Sequence, residues 1–196
     1  MTKVWSYPWR LLAPDGRSLA DLRERGIEGV SVASHYHSIR SLTATADAPQ
    51  FDTFPGGCFF DPGEYTTETA IDPHVHSVSG HESPLEELLA APAADNLSIT
   101  GWLVCLHNTR LGASHPSFRI ESAFGQPHDH GLCPSNPEVR TYLGSIAEAL
   151  ASLGIDAIGL EAIGFPSAFH GHGDQFGHEK TQVVASPREE ALFSQC

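Results

Sequence analysis

The first candidate for chemistry is Glu161, which ends an apolar segment, residues 155–161, with the pattern of a buried parallel strand. In barrels and in open α/β sheets, ligands bind at the carboxyl ends of the strands, so this position favours a role in a site. A carboxyl group there could act as a catalytic acid or base, or accept hydrogen bonds from sugar hydroxyls. The alternative is structural: Glu161 caps a loop or pairs with Arg110, because a buried acid needs a partner.

Glycoside hydrolysis requires a second carboxyl group. The two groups lie about 5 to 5.5 Å apart in retaining enzymes and about 6.5 to 9.5 Å apart in inverting ones. Glu179 and Asp174 occur in the segment that follows the strand. We take Glu161 and Glu179 as the candidate catalytic pair, although the usual second acid would come from a later strand.

A pair of histidines follows the first predicted strand, residues 27–33, with Arg40 close behind. His35 and His37 are two residues apart, so they lie on the same face if the strand is regular. Three interpretations stay open. The side chains line a substrate pocket, or His35 and His37 bind a divalent metal such as zinc that activates water, or they form a polar strand end without function.

Two further groups of polar residues follow strands. His107, Asn108 and Arg110 come directly after the second predicted strand, where an imidazole, an amide and a guanidinium together recognise hydroxyls or a carboxylate. A Gly-rich segment after the third strand is expected to be a lid over substrate or a solvated turn. Its candidate substrate-binding residues are His170, His172 and His178.

Three helix–strand units are predicted to position these side chains. Helices begin after the N-caps Ser18, Ser83 and Asn136, and strands are expected at residues 27–33, 98–106 and 155–161. Strands that alternate with helices imply parallel pairing through right-handed crossovers. The long loops, about residues 41–82, 108–135 and 164–182, all follow strands, which predicts that they gather on one face, as in a (β/α) barrel.

Composition restricts the class of ligand. The chain has 196 residues, enough for a single domain over 1–196, but fewer than the about 250 of a closed eight-stranded barrel. A net charge of -13, with 11 Lys and Arg, argues against nucleic acid and favours a neutral or cationic ligand.

No run approaches the roughly 20 apolar residues of a membrane span, and no signal peptide is recognisable, so we predict a cytoplasmic protein without a membrane partner.

Cysteines and tryptophans are assigned to packing. The four cysteines form no CxxC pair, so we expect buried thiols rather than a disulfide framework or a zinc site. Trp102 flanks a strand, and although its aromatic face suits a sugar ring, it is more often part of a core. Trp5 and Trp9, near the N-terminus, are expected either to plug the floor of a barrel or to make a packing contact.

The segment 136–142, Asn-Pro-Glu-Val-Arg-Thr-Tyr, followed by the segment 154–161, resembles the glycosyl hydrolases with a TIM-barrel fold. The wider pattern, which adds the segments 105–112, 132–136 and 178–180, is similar to an uncharacterised bacterial branch of that group. In that family a similar helix start precedes a strand whose terminal acid lies in the sugar site, and Glu161 takes the place of that acid. The resemblance is best over about residues 98–180. It implies an α/β protein forming the first part of a (β/α)8 barrel.

The sequence thus predicts a carbohydrate-active hydrolase that acts on or binds a sugar without a cofactor. The first alternative is a metal-dependent hydrolase of the amidohydrolase type that uses His35 and His37. The second is a non-catalytic sugar-binding protein or a truncated barrel. Open edges of an incomplete sheet predict association of identical chains into a homo-oligomer.

Overall fold

The structure is a computed structural model that describes residues 1–12, 18–43, 50–78, 81–122, 125, 127–165 and 194–195. The strands in chain order are β1 (Lys3–Ser6), β2 (Gly29–Tyr36), β3 (Ile39–Thr43), β4 (Gln50–Phe54), β5 (Gly57–Cys58), β6 (Ser98–Val104), β7 (Arg119–Ser122), β8 (Pro127–Leu132), β9 (Ala157–Glu161) and β10 (Ser194–Gln195). The helices are α1 (Pro8–Leu12), α2 (Leu19–Glu24), α3 (Pro84–Leu89), α4 (Thr109–Ser114) and α5 (Pro137–Ser152). In these ranges no helix has the length and apolar character that a membrane crossing requires.

The expectation of a partial (β/α)8 barrel is wrong. The main sheet has five strands, with β1, β2, β6 and β9 side by side and β5 paired to β2, and its described strands do not close into a barrel. β5 runs antiparallel to β2, and the other strands form separate sheets of three and two. The physical reason is that two segments expected as loops form antiparallel strand pairs, which need no crossover helix.

Contacts group the chain into two compact units. Unit 1 comprises Met1–Tyr36, Gly57–Leu103 and Tyr142–Glu161, and unit 2 comprises His37–Gly56, Val104–Thr141 and Ala162–Cys196. Unit 1 contains the five-stranded sheet. Its β2 pairs in parallel with β1 on one side and with β6 on the other, as predicted from the alternation of helices and strands.

Helix α5 covers one face of this sheet. A side chain placed at Gly101 of β6 would meet Leu150 of α5 and Ile155, so the odd-numbered residues of β6 face the helix. Tyr142, Ile146 and Leu150 are fully buried, and their spacing of four residues places them on one side of α5. The even-numbered residues of β6, among them Trp102, therefore lie on the opposite face.

Two predicted helix starts are confirmed in atomic detail. The Ser18 side chain accepts a hydrogen bond from the backbone of Asp21, whose carboxylate in turn accepts one from the backbone of Ser18, a complete capping box. Gly26 ends this helix region at φ +79°, a conformation that glycine adopts without strain. The Asn136 side chain accepts a hydrogen bond from the backbone of Glu138 at 2.9 Å in the first turn of α5.

Unit 2 contains the antiparallel elements that were predicted as loops. β3 and β4 pair from Ile39 opposite Phe54 onward, and both of these side chains are buried. β7 pairs with β8 and with β10. Helix α4 packs closely on β8, because a side chain at Gly112 would overlap the backbone carbonyl of Asp129.

One prediction about burial is wrong, and so is one about the state of a cysteine. β9 was expected to be a buried strand, yet its Leu160 is 55% exposed. Cys58 and Cys105 are buried free thiols as expected, but Cys133 is disulfide-bonded.

Candidate functional site

The face of the unit 1 sheet opposite α5 carries a group of aromatic side chains around one carboxylate, of which Trp5 and Glu161 are exposed and Tyr36 is buried. We name it the aromatic–carboxylate surface, and it consists of Trp5, Tyr7, Tyr36, Trp102 and Glu161. The indole N–H of Trp102 donates a hydrogen bond to Glu161 Oε2 at 2.5 Å. Glu161 therefore lies where the sequence predicted, at the end of a strand, but its nearest partners are aromatic.

The rings of this surface meet at nearly right angles. The ring centroids of Trp5 and Trp102 are 4.5 Å apart with an interplanar angle of 85°. Tyr36 meets Trp102 at 4.7 Å and 80°, and Tyr7 meets Tyr36 at 5.7 Å and 90°. Edge-to-face contacts of this kind are favourable because the positive edge of one ring meets the negative face of the other. Each ring of this surface is therefore nearly perpendicular to the ring that it contacts.

Strand register places these residues together. Trp5 in β1 and Trp102 in β6 flank β2, pairing with Ser31 and Ala33 respectively, and Tyr36 ends β2. Trp5 is 62% exposed, so its ring offers a surface to a ligand rather than filling the core. The expectation that Trp5 plugs the floor of a barrel is wrong, because the described strands form no barrel, whereas the alternative of a packing contact agrees with its contact with Trp102.

The tyrosine hydroxyls of this surface stay protonated. Burial raises the pKa of Tyr36, with further contributions from Tyr7 and from the negative charge of Glu161. Burial likewise raises the pKa of Tyr7, which shares a side-chain hydrogen bond with Tyr36. Both hydroxyls are therefore neutral donors and acceptors near neutral pH, and the negative charge at this surface belongs to Glu161.

His35 lies in the buried interior of unit 1. Its side chain is inaccessible to solvent, and its Nε2 lies 3.2 Å from the hydroxyl of Tyr142. Tyr142 also makes a side-chain hydrogen bond with Cys58, and burial strongly raises the pKa of that thiol. This arrangement is a hydrogen-bonded part of the core. It does not support the prediction that His35 binds substrate at a strand end.

Unit 2 brings four histidines together, here called the histidine cluster: His37, His107, His128 and His130. The rings of His37 and His107 stack at 4.7 Å with an angle of 10°, and His130 follows at 5.1 Å from His107. His128 lies 5.9 Å from His130. The sequence predicted His37 and His107 as site residues but missed His130 and His128, whose alternate positions in β8 place them on the same face.

Asn108 and Arg110 lie beside the cluster in sequence, at the start of α4. The Asn108 side chain is fully buried, caps α4 by accepting from the Leu111 backbone at 3.0 Å, and receives the close approach of Gly56. Asn108 thus has a clear structural role. Arg110 Nη1 is buried and makes no hydrogen bond within the described part of the chain.

The other predicted site residues are Arg40 and four residues of the segment that follows β9. Arg40 in β3 lies over the ring of Phe51 in β4, with its guanidinium carbon 4.1 Å from the ring centre. Four predicted site residues lie outside the described residues: His170, His172, His178 and Glu179.

The metal hypothesis gains no support from the geometry. Across the ranges that the structure describes, no three His, Cys, Asp or Glu side chains are arranged to hold a metal ion. His37 in particular stacks flat against His107, and its Nδ1 lies 2.7 Å from the backbone carbonyl of Ser38. Parallel stacked rings do not direct their nitrogen lone pairs at one point, which tetrahedral coordination requires.

Comparison with known proteins gives information about the fold only. No protein-family model matches the chain, and no curated protein matches it. It is similar in structure to a crystal structure of a hypothetical protein from Ruminiclostridium thermocellum, with a TM-score of 0.52 and 22% sequence identity over 83% of this chain and 77% of that chain. The likeness supports a shared α/β fold and assigns no activity.

Proposed function

We propose that the protein is carbohydrate-active and binds a sugar at the aromatic–carboxylate surface. The observation that carries this proposal is the hydrogen bond between the Trp102 indole and Glu161, next to the exposed ring of Trp5. A sugar ring presents C–H groups on its faces and hydroxyls on its rim. Aromatic faces contact the first, and a carboxylate accepts hydrogen bonds from the second.

The surface is also suited to a ligand by its rigidity. Trp102 is fixed by contacts with Trp5 and Tyr36, and its N–H orients the carboxylate of Glu161. Side chains that are already held in position lose little conformational freedom when a ligand binds, which favours affinity.

Calorimetric titration with a panel of neutral oligosaccharides tests this proposal. Trp5→Ala should weaken binding of the sugar that binds wild type by about tenfold or more, because exposed Trp side chains dominate such contacts. Phe51→Ala is the matched control, since Phe51 is similarly exposed at 57% but belongs to unit 2. Equal affinities of wild type and Trp5→Ala, or no sugar binding at all, would contradict the proposal.

Hydrolysis of a glycosidic bond is the catalytic form of the same proposal. Glu161 would be the acid or base, and its partner would be a second carboxyl group, for which Glu179 is the sequence candidate. Glu161→Gln should then abolish turnover of the bound glycan and leave the circular dichroism spectrum unchanged. Undiminished turnover in Glu161→Gln would remove Glu161 from the mechanism and leave a binding protein.

Two sequence predictions about the protein's surroundings stay predictions. These are the cytoplasmic location and the association of two copies through the sheet edges.

A further inference from the structure

The aromatic rings of the aromatic–carboxylate surface are oriented in a way that suits a bound cation. The exposed ring of Trp5 meets the ring of Trp102 at an interplanar angle of 85°, so these two rings form a corner rather than a flat platform, and buried Tyr36 supports Trp102 at 80°. A cation at such a corner is attracted by the negative face of each ring that it touches. A flat platform would suit a neutral sugar equally well, whereas corners favour a compact charged group.

Glu161 provides a negative charge next to this corner, because its carboxylate is hydrogen-bonded to the indole of Trp102. Its Oε2 accepts the Trp102 hydrogen bond, and no hydrogen bond to Oε1 occurs within the described part of the chain. The side chain is exposed, so the free oxygen can accept a hydrogen bond from an ammonium group that rests on the rings.

The excess of acidic side chains in unit 1 also favours a cationic ligand. Acidic side chains greatly outnumber basic ones among its described residues, and the whole chain has a net charge of -13. Lys3 is a basic residue on the same face, where its Nζ donates to Thr100 Oγ1 at 2.9 Å. Lys3 precedes Trp5 by two residues in β1, which is about 7 Å along the strand. Lys3 therefore lies toward one end of this face, and Glu161 lies toward the other end.

We propose that the sugar bound at the aromatic–carboxylate surface is an amino sugar with a protonated amine, held between the aromatic rings and the Glu161 carboxylate. This inference rests on the proposed function and narrows it to one substrate class. The amine would lie against the rings and the Glu161 carboxylate, while the sugar ring contacts the exposed face of Trp5.

The test compares oligosaccharides of equal length by calorimetric titration at low ionic strength. The probes are a glucosamine oligomer, its N-acetylated counterpart, a neutral glucose oligomer and tetramethylammonium chloride. The glucosamine oligomer should bind about three- to thirtyfold more tightly than the two uncharged oligomers, because a cation–π contact and an exposed ion pair are added. The preference should decrease at high salt.

Two variants test whether the preference for the glucosamine oligomer depends on the charge of Glu161. In Glu161→Gln the preference for the amine should fall severalfold, since the amide keeps the acceptor for Trp102 and removes the charge. Glu148→Gln removes the same charge from α5 of the same unit and should keep the full preference.

Each other outcome has a distinct meaning. Equal binding of all three oligomers, or a preference that survives Glu161→Gln, would overturn the amino-sugar inference and leave the proposed function standing. Tetramethylammonium binding without binding of any oligomer would overturn both, as would the absence of any binding.

Discussion

At the scale of residues, Glu161 shows what a sequence can and cannot indicate about a site. The apolar pattern of residues 155–161 predicted that Glu161 lies at the end of a strand. The pattern could not predict which side chains surround Glu161, because Trp5, Tyr36 and Trp102 come from three strands whose register no local pattern specifies. Histidine spacing was misleading for the same reason. His35 and His37 look like one motif, but His35 is a core residue bonded to Tyr142, and His37 stacks on His107.

The buried contact among His35, Tyr142 and Cys58 gives the first prediction. Tyr142→Phe should lower the free energy of unfolding by about 1 to 3 kcal/mol, because it removes a hydroxyl that serves two buried polar groups. Urea denaturation measures this loss. Tyr65→Phe is the control, since Tyr65 is 36% exposed and its hydroxyl makes no hydrogen bond in the described ranges. Unchanged stability of Tyr142→Phe would show that the contact contributes nothing.

At the scale of elements, local signals specified α2, α3 and α5, but they missed the short helices α1 and α4 and the antiparallel strands. The capping box of Ser18 and Asp21 and the cap at Asn136 are contained within a few residues, so the sequence displays them directly. The pairing of β7 with β8 depends on contacts across the chain and follows no clear alternation of apolar residues. Segments rich in Gly, Pro and Thr were therefore expected to be loops.

The packing of α4 on β8 gives a prediction with a matched control. Gly112→Ala should destabilise the protein by about 1 to 3 kcal/mol, because the added methyl group would overlap the Asp129 carbonyl. Gly144→Ala in α5 meets no atom within 4 Å and should instead stabilise by about 0.5 to 1 kcal/mol. Thermal unfolding of the two variants should move in opposite directions, and equal shifts would contradict the packing described.

The histidine cluster predicts sensitivity to acid. Burial lowers the pKa of His128 below its ordinary value of 6.5, against the opposing influence of the Asp129 charge. The unfolded chain therefore takes up the proton first as the pH falls. The stability that neutral His128 contributes is present above about pH 6.5 and is lost as the pH decreases toward the lower folded-state pKa.

Urea denaturation between pH 8 and 5.5 measures this dependence. His128→Gln should flatten the loss of stability on acidification, because the titrating group is gone. His115→Gln should not, since His115 stacks on Phe118 rather than on the cluster. A loss that is identical in His128→Gln and wild type would contradict the assignment.

At the scale of the whole molecule, the sequence predicted an α/β protein with parallel strands and missed the architecture. Parallel pairing of β2 with β6 follows from the helix between them, and it is confirmed. The partial (β/α)8 barrel was inferred from the loops that follow strands and from the family resemblance. Both are compatible with an open sheet, because the strand-then-loop order is the same in the two architectures.

The central claim is that the aromatic–carboxylate surface binds sugar, and ¹H–¹⁵N spectroscopy of the indole N–H groups tests it most directly. The chain has 3 tryptophans, and variants of Trp5 and Trp102 assign their signals. Titration with an oligosaccharide should shift the Trp102 signal, whose N–H bonds Glu161, and that of exposed Trp5, while buried Trp9 changes least. Sugar binding that leaves the Trp5 and Trp102 signals unmoved, or no binding by any sugar, would contradict the account.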